Sequence, residues 1–276
     1  MLAVIIDKKL VVVMDGVIKY SVLSYNINGY ERIHHIPTEI YEKTKDYVEY
    51  VYVTDDRTIT SDTWQVKYVD NPYPNDPFWL CYQIRFNPFN YVSNDIVMRI
   101  DGSMGIVNIL DNIIDVFDKG GYEAAVMIHP TRNKMFDEYN AWVTQRGYSV
   151  DQGNKCINFL LANDYDMDYK GLYQGNFVIQ RNNGMNNAWN EMNFKILVAL
   201  KAEGKEIERL DQTISSFVLN KFFSDKRIMA VGQYICDGVF FNWYQHNSDN
   251  VMNCDDRNNI EPFLFNKSCS LVYVWA

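Results

Sequence analysis

A chain of 276 residues, 47% apolar and 22% charged, can bury a large core and is not expected to be disordered. Its net charge of −9, without a cluster of four or more Lys and Arg, excludes a phosphate-backbone or anionic-membrane surface. Nucleic acid is therefore not expected as a partner, and no apolar run is long enough for an integral membrane segment.

Leu2 to Ile6 and Leu10 to Met14 are β-rich runs split by Asp7-Lys8-Lys9 and read as a hairpin. Lys19 to Ser24 is a third strand, ending in the polar turn Tyr25-Asn26-Ile27-Asn28-Gly29. Val48 to Val53 follows, stopped by Thr54-Asp55-Asp56, and the prolines between Asp70 and Pro77 exclude regular structure there. Ile96 to Ile100 is the next strand and runs into Asp101-Gly102-Ser103. A helix is expected directly after it, with Ile106, Leu110, Ile113, Ile114 and Phe117 on one face, ended by Gly120-Gly121. Ala124 to Ile128 is a strand closed by His129-Pro130. Helices follow over Lys134 to Arg146, Gln152 to Ala162, Asn187 to Glu203 and Glu208 to Phe222, with Phe177 to Gln180 a strand among them. Val239 to Trp243 and Leu271 to Trp275 are strand-like. The alternation predicts the α/β class, with a mostly parallel central sheet flanked by helices. No repeat and no Gly-, Ser- or Pro-rich linker divides the chain, so 1–276 reads as a single domain.

Five cysteines (Cys81, Cys156, Cys236, Cys254, Cys269) are odd in number, widely spaced and free of any C-x-x-C. That pattern argues against a disulfide framework or zinc site and for a reducing, cytoplasmic location. Aromatics reach 15%, and Tyr and Trp rings suit sugar faces as well as they suit an aromatic core.

Ligands of open α/β sheets sit beyond the carboxyl ends of the strands. Tyr25 and Asn26, then Asp55 and Asp56, then Asp101-Gly102-Ser103 occupy such ends and suit a nucleotide: a stacking ring, an acceptor for a base, and oxygens for a cation. Asp101 and Ser103 can face one Mn²⁺ or Mg²⁺, with Gly102 turning the backbone between them. The alternative is that Asp101 or Ser103 caps the expected helix. An acidic protein that binds a diphosphate must offset the repulsion locally, and a divalent cation does so.

Several short motifs occur in a telling order: Lys19-Tyr20-Ser21-Val22-Leu23, Gly29-Tyr30-Glu31, Tyr50-Val51-Tyr52-Val53-Thr54-Asp55-Asp56, and Thr63-Trp64-Gln65-Val66. Arg85, Pro88 and Tyr91 come next, then Ile100-Asp101-Gly102-Ser103, then His129-Pro130 with Arg132 and Glu138, and Arg209-Leu210-Asp211-Gln212 with Ser215. From about Lys19 to Ser216 the chain resembles a glycosyltransferase-like family of plant mucilage and cell-wall polysaccharide synthesis and of bacterial and viral glycan clusters.

The resemblance implies a GT-A-type, Rossmann-like fold and a metal-dependent glycosyltransferase using a nucleotide-sugar donor (a UDP- or GDP-sugar) and a carbohydrate acceptor. Residues 1–130 would be the nucleotide-sugar-binding half and 131–276 the acceptor-side half. Donor contacts would come from Tyr25, Asn26, Asp55, Arg85, Asp101 and Gly102. The metal would lie on Asp101, Ser103 and His246, with Ser103 a weaker, neutral replacement for a second Asp; His246 otherwise reads as an idle loop residue. His129 and Arg132 would contact substrate, unless Arg132 and Glu138 simply form a salt bridge. Gly175 and Asn176, in Gly171-Leu172-Tyr173-Gln174-Gly175-Asn176, would meet the acceptor, unless the stretch is a plain turn. Asp211 would be the catalytic base with Gln212 beside it, although a carboxylate opening a helix is favoured electrostatically in any case. A glycoside hydrolase would need two carboxylates across one bond, and no paired motif exists. A non-catalytic sugar-binding or scaffold domain is the rival, with Ser103 marking a degraded metal site.

Overall fold

The N-terminal hairpin is present: β1 (Leu2–Ile6) pairs antiparallel with β2 (Lys9–Val13). The computed structural model describes residues 2–6, 9–13, 18–129, 132, 134–145, 150–162, 171–202, 211–222, 228–236, 238–246, 249–251 and 269–273. β3 (Tyr20–Asn26) is buried at all seven positions, as a strand flanked on both sides must be. It runs two residues beyond the expected end, so Tyr25 and Asn26 are strand residues. α1 (Thr38–Thr44), β4 (Val48–Thr54) and β5 (Gln65–Tyr68) follow. α2 (Pro77–Arg85) begins on the last proline of the irregular stretch, where a missing N–H costs nothing.

β6 (Ile96–Ile100) lies where the sequence put it. The helix expected directly after it does not. Met104–Ile106 is strand β7, and α3 (Asp111–Lys119) starts only after Leu110. The apolar residues Met104 and Ile106 pair antiparallel with a later strand instead of joining a helical face. Neither Asp101 nor Ser103 caps a helix. Asp111, opening α3, accepts the hydroxyls of Tyr20 (3.0 Å) and Tyr47 (2.7 Å) and so ties the helix to the sheet.

β8 (Ala124–Ile128), α4 (Met135–Gln145) and α5 (Val150–Ala162) come next. β9 (Tyr173–Arg181) is longer than expected and takes in Gly175 and Asn176, which are strand and not turn; Gly171, at φ 111°, makes the turn before it. α6 (Gly184–Ala202), α7 (Asp211–Phe222), β10 (Ile228–Val231), β11 (Phe241–Trp243) and β12 (Cys269–Tyr273) complete the order. β11 is the partner of β7.

Ten strands form one sheet in the order β2-β1-β12-β10-β8-β9-β6-β3-β4-β5. Within it only β1 and β9 run against the rest, so the seven strands from β10 to β5 are parallel except β9. This is an α/β architecture compatible with a Rossmann-like fold. One sheet face packs Met98, Ile100, Ile113 and Phe117; the other packs Leu23, Val53, Leu80 and Ile84 near α2, and Val126, Val178, Trp189 and Ile214 near α6 and α7. Among the described residues no helix is long and apolar enough to cross a membrane.

Candidate functional site

β3 has β4 on one side and β6 on the other, so the chain reverses its winding between β3 and β6. The carboxyl ends of two such strands splay apart and leave a crevice that helices do not fill. A cavity of about 430 Å³ lies there, walled by Tyr25 and Asn26 of β3, Asp101 and Gly102 after β6, and Cys81, Tyr82 and Arg85 of α2.

Register explains which side chains meet. Leu23 is paired with Arg99, and two residues further along each strand, on the same face, stand Tyr25 and Asp101. Arg85, the last residue of α2, donates from Nε to the Tyr25 hydroxyl at 2.9 Å and from Nη2 to Asp101 Oδ1 at 3.2 Å. Tyr25 makes a long 3.5 Å contact to the same carboxylate oxygen. Burial pushes the Tyr25 pKa up; the Arg85 charge pulls against this and Asp101 adds to it. Arg99, 4% exposed, donates from Nη1 to the Gly175 carbonyl at 2.9 Å. Burial draws its pKa down; Tyr25 opposes that shift and Arg85 reinforces it.

Gly102 is needed for close approach. A Cβ there would stand 3.0 Å from the Tyr25 carbonyl oxygen and 3.1 Å from both Cβ and Cγ of Glu31. Glu31 reaches this place because Asn28 (φ 61°) and Gly29 (φ 64°) turn the chain back after β3. The Asn26 amide then clamps the main chain of Glu31, donating to its carbonyl at 2.5 Å and accepting from its N–H at 2.9 Å. Asn26 therefore walls the cavity with its hydrogen-bonding capacity already committed.

The structure distributes the remaining expected residues unevenly. Asp55 does not line the cavity. Its Oδ1 accepts the Asn28 N–H at 2.8 Å and its Oδ2 accepts from Asn71 at 3.0 Å, so it latches two loops together. Ser103 is 2% exposed and absent from the cavity wall, and its carbonyl accepts the Tyr244 N–H at 2.8 Å. His246 does reach the cavity, where its Nδ1 pairs with the Glu31 carboxylate and its ring lies 5.0 Å from Tyr30. His129 and Arg132 are engaged with each other: the Arg132 N–H meets His129 Nδ1 at 3.0 Å and its guanidinium meets Nε2. Arg132 Nε also lies 3.0 Å from Glu138, whose side chain is wholly buried, so the salt bridge is present. The Asp211 side chain lies outside the described residues, although its backbone opens α7.

Asn176, 6% exposed, gives its carbonyl to the Asp101 N–H at 2.9 Å, while both atoms of its side-chain amide are buried without a partner. Gln174 Oε1, Gln212 Nε2 and Thr213 Oγ1 are buried and unpartnered as well. β9 and α7 are in contact, since the Tyr173 N–H donates to Ser216 Oγ at 3.1 Å. Orphaned buried polar groups on these two elements mark positions where water or a ligand supplies the missing bonds.

Of the expected metal ligands, Asp101 and His246 both line the cavity, and Ser103 is absent from its wall. Asp101 is engaged by Arg85, Ser103 is turned from the cavity and His246 is engaged by Glu31. Among the described residues no three His, Cys, Asp or Glu side chains are grouped so as to hold a metal ion. Sequence reasoning gave no site role to Arg99, or to Glu31 beyond its place in the motif Gly29-Tyr30-Glu31. Arg99 had a signal: a cation inside the apolar run Ile96-Val97-Met98-Arg99-Ile100, two residues before Asp101 and so on its face. No protein-family model and no curated protein sequence matches this chain.

Proposed function

We propose that the protein is a glycosyltransferase of GT-A type, moving a sugar from a nucleoside-diphosphate sugar to a carbohydrate or other hydroxyl acceptor. The observation that carries this reading is the cavity at the β3–β6 switch point, walled by Tyr25, Arg85 and Asp101. It offers a guanidinium for the diphosphate and aromatic rings for the base, while Asn176, whose side-chain amide is unpartnered and whose carbonyl accepts the Asp101 N–H, is our choice for the sugar hydroxyls. In the reaction the bond between the anomeric carbon and the diphosphate oxygen breaks, and the acceptor oxygen bonds to that carbon. The diphosphate leaves with the bonding electron pair, and the acceptor proton passes to a base, for which Asp211 is our assignment.

Arg85 would bind and orient the diphosphate, Asp101 and Tyr25 would hold Arg85 in place, and Asn176 and Gln212 would orient the sugar. The test is a thermal-shift panel of UDP- and GDP-sugars, followed by measurement of nucleoside diphosphate released on incubation. A transferase is stabilised by its donor and hydrolyses it slowly without acceptor; a sugar-binding domain releases none. Failure of every nucleoside-diphosphate sugar to raise the melting temperature would overturn the reading.

A further inference from the structure

We propose that the base of the donor lies at the Phe78 end of the cavity, stacked on the Phe78 ring and hydrogen-bonded by the Asn28 amide, with the diphosphate at the Arg85 end. This rests on the nucleoside-diphosphate reading of the same site. α2 gives the cavity one stripe of side chains, Phe78, Cys81, Tyr82 and Arg85, at the i, i+3, i+4, i+7 spacing of a single helix face. Seven residues at about 1.5 Å each carry that stripe roughly 10 Å along the cavity, a span on the order of an extended nucleoside diphosphate.

The two ends differ in chemistry. The charged side chains of the wall are joined in one series of contacts around Asp101-Gly102. Arg85 holds Asp101 at 3.2 Å, the stem of Glu31 packs where a Gly102 Cβ would stand, and His246 pairs with Glu31. Phe78 and Pro77, about two helical turns from Arg85, have side chains of carbon alone. Phe78 packs against the core cluster of Trp79 and Trp189 and still reaches the cavity, so its ring is held in place before any ligand arrives. A ring so anchored is a platform on which any base can stack.

Asn28 lines the same cavity from the turn after β3. Its side chain is exposed, and among the described residues the partner of its amide is the Pro74 carbonyl, at a long 3.4 Å. That contact ties the turn to the loop leading into α2, so Asn28 borders the beginning of the helix. Its Oδ1 is left to accept and its Nδ2 keeps a second N–H, the two functions that the edge of a base calls for. Carbon and a neutral amide at one end, with charge at the other, match a base at one end and a diphosphate at the other.

Saturation-transfer NMR of UDP and GDP with the wild-type protein, followed by calorimetric titration of two variants, tests this. The base protons should be saturated more strongly than the ribose protons. Phe78→Leu should weaken nucleotide binding about tenfold or more, the size of a lost base–aromatic stack, and lower the base-to-ribose ratio. Asn28→Gly should weaken binding severalfold; Asn28 sits at φ 61°, which glycine adopts freely, so this variant removes the amide without straining the turn. Ribose protons saturated as strongly as the base, or both variants binding within about twofold of wild type, would overturn the placement while leaving the nucleotide-sugar reading standing. Absence of nucleotide binding to the wild type would remove both. The wild-type spectrum and Asn28→Gly decide even where Phe78→Leu does not fold.

Discussion

Arg85 Nη2 stands 3.2 Å from Asp101 Oδ1 and joins the end of α2 to the end of β6. Asp101 keeps a third of its side chain exposed while Arg85 is 14% exposed, so the cation depends more on the pair than the anion does. We expect Asp101→Asn to cut transfer about ten- to a hundredfold by releasing Arg85 and to cost about 1–3 kcal/mol. Ser103→Ala, outside the cavity, should leave transfer within about twofold. Donor-hydrolysis rates and urea melts of the two variants check this; equal losses of activity would restore Ser103 to the site.

Gly102→Ala is expected to destabilise by about 1–3 kcal/mol, because the added carbon meets the main chain of β3 as well as the stem of Glu31. The collision should also widen the gap between β3 and β6 and weaken nucleotide binding. A thermal melt and a titration on one preparation suffice. An unchanged melting temperature would show that the strand ends are pliable.

Glu138→Gln separates a structural from a substrate role for His129 and Arg132. The carboxylate is wholly buried against Arg132, so removing its charge should cost about 3–5 kcal/mol in a urea melt. A variant of normal stability that loses acceptor binding would instead place the group in the active site.

High pH should unfold the protein over a defined window. Burial pushes the Cys81 thiol and the Tyr173 hydroxyl each up to about 12, from ordinary values of 9.0 and 10.0. Both groups ionise more readily in the unfolded chain. Their contribution is therefore complete below pH 9 and is lost progressively as pH rises toward 12. Urea midpoints measured from pH 8 upward should fall above about pH 9, and tyrosinate absorbance followed alongside should rise over the same range. Tyrosinate forming near pH 10 without unfolding at Tyr173→Phe-sensitive amplitude would contradict this.

Periodicity within short windows was enough to read β3, β4, β6, β8 and the helices of the second half, because each presents its own apolar face. It could not read α2, whose first turn is hidden behind prolines, or β7, whose apolar residues match a helical face equally well. Asp101 was legible as a polar residue ending a buried strand. Asp55 fitted the same description, but its partners Asn28 and Asn71 lie in other loops, and only the folded chain brings them together. The place of β9 between β6 and β8 is likewise a matter of strand order, on which local pattern is silent, and it decides that Asn176 stands beside Asp101.

β1 is hydrogen-bonded to a strand far along the chain: Ile5 and Ile6 of β1 are register partners of Tyr273 and Val272 of β12. During synthesis the β1–β2 hairpin therefore leaves the ribosome long before β12 does, and the inner edge of β1 waits unpaired while the residues between them are made. Closing so long a loop favours late docking. Meanwhile a hairpin of Leu, Ile and Val residues stands open to chaperones, or to the same hairpin on a neighbouring nascent chain.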